Sequence, residues 1–257
     1  MTGQKPPFDP PVALASLSGE SDARWARKGA EYAGAAFLGG IALDEQTRAA
    51  ARKMVDRDRS EFLPPDPVRF IDEQLDRIAD LSLQPGFNVR TTSHEPLRRA
   101  ATVCETRDAI LEINAHCRQE EMCAVGAGES LLTDSERLCG QVETASETGA
   151  RVSVKVRTEV PGVNLPALAG TLESAGADIL HVDAMDSEPM IGAIAECTDI
   201  AIIANNEVRD RESVHEYLSY GADAVSVGRP SDNPQVLRRV RNAAESWFET
   251  ASLEAEK

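Results

Sequence analysis

The chain has 257 residues and a mass of 27.7 kDa, enough to bury a core without help from disulfides or a structural metal. It carries 43 acidic and 27 basic residues, for a formal net charge of −16 at pH 7, which argues against the basic face of a nucleic-acid-binding domain. Its five cysteines include no CxxC pair, which favours a reducing compartment over a disulfide-stapled secreted fold.

Neither a secretion signal nor a membrane anchor is predicted. The first residues contain no apolar segment, and the longest uncharged stretch near the start, 32–43, is shorter than the roughly 20 residues that span a bilayer. We therefore expect a cytoplasmic protein with no membrane partner. Only five of the 27 basic residues are lysines, a composition that resembles halophilic proteins, although an ordinary acidic enzyme is the alternative.

Apolar, β-branched runs alternate with helical patterns along the chain. Eight such runs are predicted strands, at 12–16, 35–38, 87–90, 109–114, 152–156, 179–182, 200–204 and 224–227. Eight strands separated by helices predict an α/β fold, a closed parallel (β/α)8 TIM barrel.

Apolar residues at helical spacing mark the connecting helices. The clearest stripe follows the last strand and consists of Leu237, Val240, Ala244, Trp247 and Phe248. Two helical segments, about 44–56 and 67–81, follow the second strand, so a helical insertion of about 44–83 is expected. The predicted domain is one barrel over 1–250 with a frayed tail at 251–257.

A cysteine lies at the end of the fourth predicted strand, in Glu112-Ile113-Asn114-Ala115-His116-Cys117-Arg118. The apolar run ends there in polar residues and leads into a loop rich in small residues. Because α/β enzymes keep their chemistry at the carboxyl ends of parallel strands, we expect Cys117 at the mouth of the barrel. The other four cysteines have no such setting and are interpreted as structural, and their spacing predicts no metal site.

Two later strands end in basic or titratable residues. Lys155 and Arg157 lie on the same side of the fifth strand, and a lysine that points into a barrel is costly unless it meets an anion or a polar ligand. A buried ion pair is the alternative for Lys155. His181 ends the sixth strand, where a satisfied core histidine is the alternative.

The last two strands end in residues suited to a cofactor. Asn205 ends the seventh strand, with a simple turn as the alternative, and Gly228 and Arg229 follow the eighth. Barrels frequently bind phosphate in the loops after these two strands, and arginine is well suited to phosphate. Four successive strand ends with such residues indicate one shared site.

In order and spacing these segments resemble the tRNA-dihydrouridine synthase family, the flavin-dependent barrels that reduce uridine, and most of all its short archaeal members. The resemblance covers about 12–230. Ala15-Ser16-Leu17-Ser18-Gly19 resembles the opening Ala-Pro-Met-x-Gly loop, and the cysteine segment, followed by Gly-Glu-Ser-Leu-Leu, matches Asn-x-Gly-Cys-Pro in spacing. The family's Lys-x-Arg, His-Gly-Arg, Asn-Gly-Asp and Gly-Arg fall at Lys155-Val156-Arg157, His181, Asn205 and Gly228-Arg229.

The resemblance implies an FMN cofactor, NADPH or NADH as reductant, and tRNA as substrate. Its cofactor-binding residues would be Lys155, His181, Asn205, Gly228, Arg229 and, near the family's flavin-binding glutamine, Asn88. Cys117 would protonate the substrate carbon as general acid. Arg157 and Asn114 would lie on the substrate side, with Arg157 facing the uracil carbonyl.

The sequence departs from the family pattern in ways that bear on the substrate. His116 and Arg118 replace a glycine and a proline beside Cys117, and Asp183 replaces the arginine of the histidine motif. An imidazolium at position 116 would favour a thiolate. Only 28 residues follow Arg229, so the family's C-terminal RNA-binding domain is not expected.

Two other functions therefore stay open. The first is an FMN barrel reductase or dehydrogenase of a small pyrimidine-like molecule, similar to dihydroorotate or dihydropyrimidine dehydrogenases. The second is a binding barrel that has lost catalysis, which the changes around the cysteine would favour.

Overall fold

The computed structural model describes residues 6–255, with the side chains of 6–251 and 253. Within that range eight parallel strands close into a barrel, in which each strand pairs with the next and the eighth pairs with the first. The strands are β1 (Val12–Leu14), β2 (Ala35–Ala42), β3 (Gln84–Arg90), β4 (Ile110–Asn114), β5 (Val152–Arg157), β6 (Ile179–Asp183), β7 (Ala201–Asn205) and β8 (Ala224–Val227). The predicted (β/α)8 barrel is confirmed.

The predicted strands differ from the observed ones mainly in β2. The apolar run stops at Gly39 and Gly40, yet the strand continues and pairs with β3 as far as Ala42, with an irregular register at the glycines. Gly39 has a φ of +95°, and a Cβ there would lie 2.4 Å from the carbonyl oxygen of Asn88. Glycine is therefore needed for the close approach of these two strands.

Helices connect the strands. In the described range they are α1 (Ala23–Gly29), α2 (Glu45–Val55), α3 (Pro67–Asp76), α4 (His94–Thr106), α5 (Glu120–Ala124), α6 (Ser135–Ser146), α7 (Leu165–Ser174), α8 (Met190–Ala195), α9 (Arg211–Ser219) and α10 (Pro234–Ala255). Two 3₁₀ helices, Gly128–Thr133 and Arg229–Asp232, follow β4 and β8. Within the described range, no helix has the length and apolar character that a membrane span requires.

Two helices, α2 and α3, lie between β2 and β3, where the sequence predicts an insertion. Asp66 caps α3 by accepting hydrogen bonds from two backbone N–H groups, and Pro67 follows at the first helical position, as expected from their order in the sequence. At the other end of the chain α10 continues to Ala255, beyond residue 250 where a frayed tail is predicted. Residues 256–257 lie outside the described range.

The interior of the barrel changes from apolar to polar along its axis. Near the amino ends of the strands it is filled by Phe8, Ala13, Ala35, Phe37, Ile110, Ile179, Ile203 and Ala224. Further along the same strands the inward positions are polar, because side chains alternate with a period of two. The buried polar positions include Asn88, Glu112, Ser153, Lys155, His181 and Ser226. The polar half lies at the carboxyl ends of the strands.

Candidate active site

A buried carboxylate is the centre of the polar half of the barrel. Glu112 Oε1 accepts a hydrogen bond from Asn88 Nδ2 at 2.8 Å, and Oε2 accepts one from Ser153 Oγ at 3.1 Å and lies 2.7 Å from His181 Nδ1. Burial by itself would raise the pKa of Glu112, but His181, Lys155 and the hydrogen bonds outweigh it and bring the pKa to about 2. Glu112 is therefore ionised at neutral pH.

His181 connects this carboxylate to the far side of the barrel. Its Nε2 lies 2.7 Å from Ser226 Oγ, which also accepts a hydrogen bond from Asn205 Nδ2 at 2.8 Å. Burial lowers the pKa of His181, and the negative charge of Glu112 opposes this effect. Both ring nitrogens are used by protein partners in a fully buried side chain, as in a satisfied core histidine. A ligand would have to displace one of them to contact the ring.

Lys155 differs from its neighbours because no hydrogen bond or ion pair of its ammonium is found with the described residues. The residue as a whole is 3% exposed. Burial lowers the pKa of Lys155, and the carboxylates of Glu112 and Asp183 act in the opposite direction. The contact ion pair that the sequence left open is therefore not formed. Lys155 supplies a buried cationic donor at the mouth.

Asn114 shapes the loop that carries Cys117. Its Oδ1 accepts a hydrogen bond from the backbone N–H of Cys117 at 2.9 Å, and its Nδ2 donates to Asn88 Oδ1 at 2.9 Å. The carbonyl of Cys117 accepts from the N–H of Glu129 at 2.9 Å. Gly128 has a φ of +65°, and a Cβ there would lie 2.2 Å from the Cys117 carbonyl oxygen. Contacts to the backbone N–H and to the carbonyl of Cys117 therefore hold this loop in place at the carboxyl end of β4.

The side chain of Cys117 faces the insertion side of the mouth. It is partly buried against an apolar cluster formed by Ala42, Ala50, Ala51, Met54, Met122 and Ala127. It belongs to the loop that follows β4, at the end of the barrel where Arg90 ends β3. Cys117 therefore lies on the same end of the barrel as Lys155.

Two further arginines at the carboxyl end of the barrel have N–H donors without a partner among the described residues. Arg157 Nη1 donates to Glu129 Oε2 at 2.7 Å, while its buried Nε has no hydrogen-bond partner in the described part of the chain. Arg229 is exposed, and no hydrogen bond or ion pair of its side chain is found with the described residues. Beside it, a Cβ on Gly228 would meet no atom within 4 Å, so there is open space next to this backbone.

The side chains that could bind a metal ion are dispersed over the described structure. Within residues 6–255, no group of three or more His, Cys, Asp or Glu side chains is arranged to hold a metal ion.

A family model described as dihydrouridine synthase matches residues 80–257, more than half of the chain. The chain belongs to the dihydrouridine synthase family. It is accordingly a flavin-dependent oxidoreductase that acts on a CH–CH bond.

Relatives of this dihydrouridine synthase family member include both uncharacterized and named proteins. An uncharacterized protein of Methanocaldococcus jannaschii is 29% identical over 236 residues, which cover 86% of this chain and 89% of the relative. The tRNA-dihydrouridine(16) synthase of Escherichia coli O157:H7 is 30% identical over 172 residues, or 60% of this chain and 54% of that protein. The chain thus matches only about half the length of that enzyme.

A solved structure with the same fold is that of morphinone reductase. The two superpose with a TM-score of 0.65 at 13% identity, over 92% of this chain and 88% of the other. At this identity the likeness shows the fold alone.

Two departures from the dihydrouridine synthase motifs contact each other. His116 Nε2 lies 2.6 Å from Asp183 Oδ2, and this bond crosses the carboxyl end of β5, since β5 separates β4 from β6. Burial lowers the pKa of His116, and Lys155 adds to the effect, although Asp183 opposes it. The charged form of His116, which would favour a thiolate at Cys117, is therefore disfavoured. The ring of His116 is oriented by the carboxylate of Asp183.

The contact between His116 and Asp183 leads to a testable prediction for the pKa of His116. Replacing Asp183 by Asn should lower the pKa of His116 further, because the substitution removes the negative charge that favours the protonated ring. The chain has four histidines, so NMR titration of their ring protons can follow His116 separately. Asp186→Asn, at an exposed position three residues on, is the control and should leave the titration unchanged. A pKa that rises in Asp183→Asn would contradict the contact.

Sequence reasoning missed Glu112, Ser153 and Ser226, although a signal for each was present. On β4 the order Ile110-Leu111-Glu112-Ile113-Asn114 places Glu112 on the same side as Asn114, which was assigned to the site. Ser153 is on the same side of β5 as Lys155 for the same reason. Period-two alternation applied to every strand end would have found all three residues.

Proposed function

We propose that this protein binds FMN at the carboxyl end of its barrel and reduces the uracil double bond of uridine in tRNA, in the cytoplasm, with NADPH or NADH as reductant. The observation that carries the proposal is a buried lysine, Lys155, whose ammonium has no contact partner among the described residues, at the mouth of a dihydrouridine synthase family barrel. A buried lysine without a contact partner is costly unless a ligand completes its environment. An electron-rich ring is a suitable ligand.

The residues present fit FMN. Lys155 supplies a cation for the ring, Arg229 supplies an exposed guanidinium for the phosphate, and Gly228 leaves space for the phosphate to approach the backbone. When bound, FMN supplies the hydride chemistry, and the protein supplies position and the proton. Asn205, whose amide donates a hydrogen bond to Ser226 Oγ, would orient the ribityl chain.

The buried polar network has a supporting role in this proposal. In the structure, Asn88 and His181 bind Glu112 rather than facing open space. Together they keep a negative charge near Lys155, which favours its protonated form. We therefore assign Asn88 and His181 to positioning rather than to direct contact with the cofactor.

The substrate side is formed by Cys117 and two residues that support it. Cys117 donates a proton to the carbon next to the one that receives hydride, and Asn114 holds its backbone in place. Arg157 has a buried Nε without a hydrogen-bond partner in the described part of the chain, and this group can donate to a uracil carbonyl. These donors suit the polar edge of a pyrimidine.

Recognition of tRNA must depend mainly on shape and base contacts. Six phosphate contacts would give a log–log salt slope of about −5, so binding that depended on them would be lost quickly as salt rises. A net charge of −16 makes such a surface unfavourable. A partner protein that supplies basic residues would serve the same purpose.

The direct test is to map dihydrouridine in tRNA from a strain that lacks this gene. Dihydrouridine should be missing at one or more positions and should return when the purified protein is added with FMN and NADPH. Unchanged modification in the deletion strain would contradict the proposal. Reduction of a free pyrimidine in place of tRNA would support the small-molecule alternative.

Lys155→Ala tests the cofactor site. Loss of the ammonium should weaken flavin binding at least tenfold, about 1.4 kcal/mol, as measured by fluorescence titration with FMN. Lys28→Ala, on the exposed face of α1, is the matched control and should bind FMN as the unmodified protein does. If Lys155→Ala binds FMN equally well, the lysine serves only to balance Glu112.

A further inference from the structure

His116, Arg157 and Asp183 form a second polar layer at the mouth of the barrel, above the layer that contains Lys155. Asn114 is the register partner of Lys155 across β4 and β5, and Arg157 is the partner of Asp183 across β5 and β6. His116 follows Asn114 by two residues, as Arg157 follows Lys155, so it reaches the level of Arg157. Its contact with Asp183 spans the end of β5 at that level. We call these three residues the rim layer.

The ring of His116 is fixed on its backbone side and on its Nε2 side. The backbone N–H of His116 donates to Asn114 Oδ1 at 3.3 Å, and Nε2 lies 2.6 Å from Asp183 Oδ2. Asp183 is in turn held by its own backbone, because its carbonyl accepts from the N–H of Thr158 at 3.0 Å. The protein therefore sets the orientation of the ring before any ligand binds.

Asp183 also determines which nitrogen of His116 carries the proton. Burial alone would raise the pKa of Asp183, but the hydrogen bond from His116 and the charge of Lys155 outweigh burial and hold that pKa below its ordinary value. An ionised carboxylate can only accept a hydrogen bond, so Nε2 donates, and in the neutral ring Nδ1 is then a bare acceptor. Burial lowers the pKa of His116, which favours this neutral form.

Nδ1 of His116 is available to a ligand. It has no hydrogen bond with the described residues, and the side chain is 32% exposed. On the neighbouring strand of the rim layer, the buried Nε of Arg157 has no hydrogen-bond partner within residues 6–255 either. The protein therefore presents an acceptor and a donor side by side, and a ligand that leaves either of them unpaired binds less tightly.

We propose that His116, oriented by Asp183, accepts a hydrogen bond from the ring N3–H of uracil while Arg157 donates to the adjacent carbonyl oxygen, and that His116 thereby determines specificity for uracil over cytosine. The inference rests on the proposed function for uridine as the substrate. An acceptor beside a donor is complementary to the N–H and C=O groups that neighbour each other on the uracil edge. Unpaired bases are commonly recognised by hydrogen bonds to this edge.

Cytosine presents the wrong pattern to the rim layer. Its N3 carries no hydrogen, so two acceptors, N3 and Nδ1 of His116, would face each other with no proton between them. A site that hydrogen-bonds an N–H group of its substrate discriminates strongly against an analogue that lacks the group, because the polar group of the site is left unpaired. Uracil is therefore bound, and cytosine rejected, by the same nitrogen.

The other acceptors near the His116 ring are used within the protein. Asn114 Oδ1 accepts from the backbone N–H groups of His116 and Cys117. Asp183 uses Oδ2 for His116 and Oδ1 for the backbone N–H of Met185, at 3.4 Å. Nδ1 of His116 is thus the acceptor that this part of the rim layer leaves for a ligand.

The first test locates the proton on His116 without any substrate. In ¹⁵N NMR spectra of the purified, FMN-loaded full chain, at a pH above the pKa of the ring, His116 should show a protonated Nε2 and a bare Nδ1. Loss of the signal in His116→Ala assigns it. Asp183→Asn should give a mixture of tautomers, because an amide can either accept from Nε2 or donate to it. A ring protonated on Nδ1 in the unmodified protein would overturn the inference.

The second test compares uridine 5′-monophosphate with cytidine 5′-monophosphate by isothermal titration calorimetry on the same FMN-loaded chain. The unmodified protein should bind the uridine nucleotide at least about tenfold more tightly. His116→Ala should reduce this ratio to below about threefold, because the acceptor is gone. His116→Asn should keep binding the uridine nucleotide but also admit the cytidine nucleotide, since an amide can turn either its oxygen or its nitrogen toward N3.

Two controls separate recognition from a change in the loop. Arg118→Ala alters an exposed residue of the same loop and should leave the ratio of the two affinities as it is. When the uridine nucleotide is added in the NMR experiment, the Nδ1 signal of His116 should move, while the ring signals of His94 on α4 and His215 on α9 should not. A purely structural role for His116 predicts that His116→Ala weakens binding of both nucleotides equally.

An unchanged ratio in His116→Ala, or no binding of either nucleotide at millimolar concentration, would also refute the inference. If His116→Ala does not fold, the tautomer and the ratio in the unmodified protein decide, together with His116→Asn. Failure of the proposed function gives a different result, because dihydrouridine would persist in the deletion strain while the uridine nucleotide would still be preferred through His116. Normal dihydrouridine formation without any nucleotide preference would exclude the role of His116 and leave the proposed function standing.

Discussion

Cys117→Ala is expected to keep its flavin, and to allow the flavin to be reduced by NADPH, yet to form product about 10²–10⁴ times more slowly. The reason is that, in the proposed function, the cysteine contributes a proton and not a contact to the cofactor. Its loop is held through the backbone by Asn114 and Glu129, so loss of the thiol leaves the loop in place. Stopped-flow absorbance separates the two half-reactions.

The matched control for this prediction is Cys197→Ala, because Cys197 is exposed and lies outside the site. It should turn over at the unmodified rate. Cys117→Ala that reduces tRNA at the normal rate would eliminate the acid role and leave a water or another residue as the proton donor. Slow flavin reduction in Cys117→Ala would instead place the thiol in the first half-reaction.

Glu112→Ala is expected to lower the free energy of unfolding by about 3–5 kcal/mol, the cost of removing one partner from a buried charged network. The substitution leaves Asn88, Ser153 and His181 without their acceptor, and it leaves Lys155 buried without its main counter-charge. Urea unfolding followed by circular dichroism measures the change. Glu147→Ala removes an exposed partner of Arg98 and should change stability little.

The ionisation of Glu112 also makes the stability of the protein depend on pH. The pKa of Glu112 is about 2 in the folded protein, below the ordinary glutamate value of 4.5. A depressed carboxyl pKa contributes stability that is complete above the unfolded value and is lost as pH falls toward the folded one. The stability gap between the unmodified protein and Glu112→Ala should therefore narrow from about pH 5 down to about pH 2. A gap that stays constant would mean that Glu112 is not ionised in the folded state.

The barrel and its strand positions could be read from the chain because they follow from local rules. Alternating apolar runs mark strands wherever they occur, and eight of them separated by helices leave few other architectures. The same local reading placed Cys117, Lys155 and Gly228-Arg229 at the carboxyl end, since each directly follows or ends a strand. The end of β2 was misjudged, because Gly39 and Gly40 interrupt its pattern. Strand β3 begins at Gln84, three residues before its predicted start, and β1 ends at Leu14, two residues before its predicted end.

Contacts between those residues were decided by the tertiary structure. Glu112 and His181 are 69 residues apart, His116 and Asp183 are 67 apart, and Arg90 and Glu61 are 29 apart. Periodicity shows which face of a strand a side chain occupies, but it does not show which inward side chains meet. That depends on the register between neighbouring strands, which is established only when β8 pairs with β1 and the barrel closes.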